Sequence, residues 1–150
     1  IIILSYLGLI PFIYPLIKVE LATSFFGIMP VEFTISYGVT ILIFLSGIYW
    51  GIGLFLHLKN DTDCYNYCAL SMIPFFIGLS TIFINNYKNP LILIIGFLVC
   101  QIFDENLYKL NIYEKWYLSL RRILTLVVVT ILIFIYIKYD YDLFTTIHIL

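Results

Sequence analysis

Five apolar blocks, each bounded by a short polar break, take up nearly the whole chain. A helix on the surface of a soluble domain is apolar along one stripe and polar on the opposite face. These blocks stay apolar around the full turn, which requires an apolar medium outside as well as a core inside. Composition agrees, with 63% hydrophobic and 11% charged residues and a mean hydropathy of +1.05. A soluble domain is about half apolar and about a quarter charged. The expectation is an all-α polytopic membrane protein, a single domain over residues 1–150. It should form a bundle of about five transmembrane helices, since about 20 apolar residues make one span.

The blocks read as follows. The first, Ile1 to Ile17, carries Pro11 and Pro15, so a kink or a helix end is expected there. Lys18 to Glu32, with Gly27 and Pro30, reads as a loop or interfacial segment. The second block, Thr34 to Leu58, holds Gly38, Gly47, Gly51 and Gly53, and runs into the polar stretch His57 to Asp63. The third, Tyr67 to Ile84, has Pro74 in its first half. Asn85 to Asn89 reads as a tight turn before Pro90, which makes blocks three and four a helical hairpin. The fourth, Pro90 to Phe103, extends into Asp104 to Tyr108, and the fifth spans Trp116 to Ile137. The tail from Lys138 alternates charge and aromatic residues and is expected at the interface.

With five spans, one side carries Lys59, Lys109, Lys115, Arg121 and Arg122, and the other Lys18, Lys88 and Lys138. By the excess of positive charge, the first side, with the N-terminus, faces the matrix or cytoplasm. The net charge of −1 and the lack of a basic patch exclude nucleic acid as a partner. Isoleucine occurs 28 times and alanine twice. This is the bias of AT-rich codons, as in a mitochondrial or reduced bacterial genome.

Few residues suggest chemistry. His57 and His148, the only histidines, lie at a span end and in the tail, whereas a membrane haem takes imidazoles at matched depth. Cys64, Cys68 and Cys100 form no framework and read as small apolar residues. No zinc set of four Cys or His ligands exists, and Asp61-Thr62-Asp63 lacks the glycine and distal glutamate of a calcium loop. No catalytic residue, cofactor or metal is therefore expected. Charged residues fall at block edges, and Gln101 and Thr40 are the notable polar groups deep in spans, too few for a transport path. Asp104, Glu105, Arg121 and Arg122 flank the fourth loop and could pair across it. Arg121 and Arg122 are also placed to meet lipid headgroups, such as those of an anionic phospholipid like cardiolipin. Gly47 and Gly51, four apart on one helix face, are expected to admit a close helix contact, within the chain or with another subunit.

Two segments carry a resemblance. Ser36-Tyr37-Gly38 through Leu45-Ser46-Gly47-Ile48-Tyr49-Trp50-Gly51 and Trp116-Tyr117-Leu118-Ser119-Leu120-Arg121 resemble a small five-span family of unknown function typified by transmembrane protein 69. That family occurs in proteobacteria and mitochondria. Leu7-Gly8-Leu9-Ile10-Pro11-Phe12 is similar to its first span, and Pro74 to a proline in its third. The family's pattern has histidine where this chain has Tyr49. The resemblance implies a fold and a membrane, not a reaction. The expected role is a non-catalytic accessory or structural subunit of a larger inner-membrane assembly, a mitochondrial respiratory-chain complex first among them. Its partners would be other membrane subunits and phospholipid. A small transporter or channel, or a quinone-binding membrane anchor, is the alternative, and a bacterial inner membrane the alternative location.

Overall fold

The computed structural model describes residues 2–17, 30–59, 64–84 and 89–148. The described chain is helical throughout: α1 (Ile2–Leu7), α2 (Ile10–Ile17), α3 (Pro30–Leu58), α4 (Cys64–Phe83), α5 (Asn89–Lys109) and α6 (Lys115–His148). The membrane bundle expected from the blocks is therefore present. Four stretches are long and apolar enough to cross a bilayer: Val31–Leu58, Tyr65–Phe83, Asn89–Lys109 and Lys115–Lys138. Each exceeds the ~27 Å that about 18 helical residues cover. The first apolar block instead forms the two short helices α1 and α2, packed against α3 and α6. The Asn85–Lys88 part of the expected turn, Lys18 to Met29 of the expected loop, and Asp61-Thr62-Asp63 lie outside the described residues. Beyond Lys138, where the apolar stretch ends, α6 continues as helix to His148.

The prolines account for the break and for how it is repaired. Pro11 has no N–H to give the Leu7 carbonyl, and α1 ends at Leu7. Pro15 likewise leaves the Pro11 carbonyl without a helical donor. Thr34 of α3 donates its hydroxyl to that carbonyl at 3.1 Å. Tyr37, one turn on, donates to the Gly8 carbonyl at 3.1 Å. Phe12 then fills the space between, edge-on to Tyr37 and Phe97. A similar link joins α3 to α4. Ser46 donates to the Ser71 carbonyl at 2.6 Å, in the turn before Pro74. Such short polar links hold helices where lipid gives no hydrophobic drive.

Neighbouring side chains press closest on Gly96, where an added Cβ would lie 2.5 Å from Leu42 Cδ1, and on Gly38, where it would lie 2.9 Å from Leu93 Cδ1. The α5–α6 hairpin has a heptad-like seam. Leu93, Phe97, Cys100, Asp104 and Leu107 on α5 are buried, as are Leu118, Thr125, Val128 and Leu132 on α6, with Arg121 in register among them. The 3-4 spacing of both sets is that of antiparallel helices meeting along one stripe. Asn111 turns the hairpin in the left-handed region, at φ 58°. Its N–H bonds the Tyr108 carbonyl and that of Ile112 bonds the Leu107 carbonyl, which is the Schellman closure of a helix end.

Candidate functional site

The most unusual feature of the bundle is an ion pair inside it. Asp104 sits on the buried stripe of α5 with its side chain 1% exposed, and Arg121 faces it from α6 with 11% exposed. Arg121 Nε donates to Asp104 Oδ2 at 2.8 Å. The other carboxylate oxygen, Oδ1, lies 2.9 Å from Tyr49 Oη of α3. The same hydroxyl is 3.1 Å from the Cys100 carbonyl, so its single proton serves one acceptor at a time. One carboxylate thus ties α3, α5 and α6 together. Phe103 closes over Tyr49 edge-on at 5.5 Å.

Asp104 is about five residues from the end of α5 and Arg121 about six from the start of α6, or roughly 8–9 Å along each axis. The pair therefore sits at the loop end of the bundle, below the headgroups rather than at mid-membrane. Arg121 Nη2 is buried and has no hydrogen-bond partner. A buried donor left in that state costs about 1–3 kcal/mol. Beside the inner pair runs an outer one. Arg122 makes a two-pronged contact with Glu105, Nε to Oε1 at 2.6 Å and Nη2 to Oε2 at 2.6 Å, and Gln101 adds a third bond at 3.1 Å. In the loop, Tyr113 stacks edge-on against Tyr117 at 4.7 Å. Burial pushes its hydroxyl above the ordinary range, so it stays protonated.

The pairing of Asp104 and Glu105 with Arg121 and Arg122 across the fourth loop is thus present. Arg121 departs from its expected headgroup contact. It points into the bundle, because it falls on the α6 seam rather than the outer face. Arg122, one residue on, is 57% exposed and turns outward. Gly47 and Gly51 face outward, with nothing among the described residues within 4 Å of an added Cβ at either. The intramolecular half of that expectation is therefore not met, since the close contacts are at Gly38 and Gly96 instead. His57 is exposed and lies edge-on to Tyr65 at 5.9 Å, and the side chain of His148 lies outside the described residues. Among the described residues, no three of His, Cys, Asp and Glu come together to hold a metal.

Sequence reasoning missed Tyr49 as the third member of the buried network, although it singled out that position as a departure from the family's histidine. The signal was available. Thr34, Gly38, Leu42, Leu45, Tyr49 and Leu56 share one helical stripe, and the phenol falls on it. It also missed a cavity of about 300 Å³ between the α1–α2 pair and α3, α5 and α6, into which Arg121 opens.

Fold and site together define a polytopic helical membrane protein held at one end by a buried carboxylate–guanidinium–phenol network. The chain belongs to the family described as Protein of unknown function (DUF3429), which it matches over residues 1–137. It is 33% identical over 123 residues to transmembrane protein 69 of Mus musculus, covering 80% of this chain and 48% of the mouse protein. The chain thus spans about half the length of that curated relative. No solved structure matches it.

Proposed function

We propose that the chain is a non-catalytic accessory subunit of a larger assembly in the inner mitochondrial membrane, or in the inner membrane of a related bacterium, with a respiratory-chain complex as the assembly. The observation that carries this reading is the outer face of α3. Gly47 and Gly51 form a flat strip there that the described residues leave open. Exposed Phe44, Trp50, Leu54 and Phe55 flank it. In lipid, apolar side chains alone give no reason for helices to meet, whereas a small-residue strip lets backbones pack closely. The rigid aromatic groups beside it add contact area at low entropic cost. Arg122, at the bundle end, is placed for an anionic phospholipid headgroup at the rim of such an assembly. The AT-rich composition and the family resemblance support the mitochondrial or bacterial inner membrane.

Mild detergent extraction, a native gel and mass spectrometry of the band test the reading. Co-migration with respiratory subunits is the expected result. Migration as a free species or as a homo-oligomer overturns it.

A further inference from the structure

The cavity beside Arg121 is not explained by lateral assembly. At about 300 Å³ it is twice the ~150 Å³ that holds a benzene ring in an engineered core, and it reaches the lower limit of ligand sites. Its walls are chiefly apolar and aromatic, with Phe12, Phe97, Leu124 and Val128 among them. It reaches the bundle surface beside Phe44, which is 64% exposed and lies near the middle of the α3 span. Access is therefore from the hydrocarbon. At the other end stands the guanidinium side chain of Arg121, already paired with Asp104 through Nε. Arg121 and Thr125 thus stand at one end of the cavity, Phe44, Phe97 and Val128 line its apolar middle, and Tyr37 and Gly8 lie beyond.

Charge narrows the ligand. The Arg121 charge is already matched by Asp104 at 2.8 Å. A second anion would set two carboxylates on one guanidinium in a low-dielectric site, where an uncompensated charge is costly. A neutral oxygen acceptor can meet the guanidinium and leaves the pair balanced. We propose that this cavity binds an uncharged, lipid-soluble carbonyl compound, its carbonyl oxygen accepting from the Arg121 guanidinium and its apolar body lying along Phe97 and Val128. A membrane quinone and the ester carbonyl of a neutral glyceride both offer that chemistry. The proposal is independent of the assembly reading, because binding is read on the isolated protein.

Native mass spectrometry of the purified chain released from nanodiscs tests it with three probes: a decyl-substituted benzoquinone, dioctanoylglycerol and dodecanoate. A saturable one-to-one adduct with the quinone or the glyceride is expected, and whichever binds identifies the source. Arg121→Lys keeps the charge opposite Asp104 but loses the forked donor, and should weaken binding about tenfold or more. Leu124→Trp fills the cavity one turn from Arg121 and should abolish binding while the protein still melts cooperatively. No saturable adduct with either neutral probe overturns the proposal. So does tighter binding of dodecanoate, or unchanged affinity in both folded variants.

Discussion

At the scale of single residues, Asp104 carries more than any other side chain. It is bonded by both α3 and α6, and its removal would strand Arg121 inside the bundle. Breaking a buried pair from one side costs about 3–5 kcal/mol. Asp104→Ala should therefore lower the melting temperature in detergent sharply. Tyr49→Phe should cost less, about 1–3 kcal/mol, because it removes one hydrogen bond to a charged group and leaves the ion pair intact. Equal losses in the two variants would mean that Asp104 and Arg121 are not paired in solution. Glu105→Gln, on the exposed pair, should change little. The sequence set Asp104 and Glu105 against Arg121 and Arg122 across the fourth loop but placed Arg121 among headgroups. Hydropathy blocks see only a charge near an edge. The seam spacing of Leu118, Arg121, Thr125 and Val128 decides which way that charge points.

At the scale of elements, the apolar blocks gave the four membrane-length apolar stretches within a few residues, because the polar breaks that end them are the residues that cannot enter lipid. The first block was harder to read. Its length suggested a span, and only the loss of helical donors at Pro11 and Pro15, with Thr34 and Tyr37 of α3 bonded to the Pro11 and Gly8 carbonyls, shows why it packs as two short helices. The α5–α6 turn was legible only as a polar gap. Its geometry depends on Asn111 in the left-handed region, which glycine tolerates best and β-branched residues tolerate worst. Asn111→Gly should leave stability unchanged or slightly raised, and Asn111→Val should lower it by about 1–2 kcal/mol. Chemical unfolding of the two variants in mixed micelles checks this. A loss for glycine as large as for valine would rule out the Schellman closure.

At the scale of the molecule, successive helices α3 to α6 alternate in direction, so their connections alternate in side. Single cysteines at Lys59 and Asn111, in a cysteine-free background, should label from the same face of sealed membranes, and one at Ile84 only from the other. Labelling of all three from one face would mean that at least one of these helices does not cross. The pattern of blocks made this much of the topology readable, while the cavity and the outward turn of Gly47 and Gly51 needed the packed helices. The claim that this face receives another protein is tested most directly by a photoreactive residue at Gly51, activated in intact inner membranes. A discrete adduct with a different membrane protein is the expected result, and adducts only with lipid or with copies of this chain would contradict it.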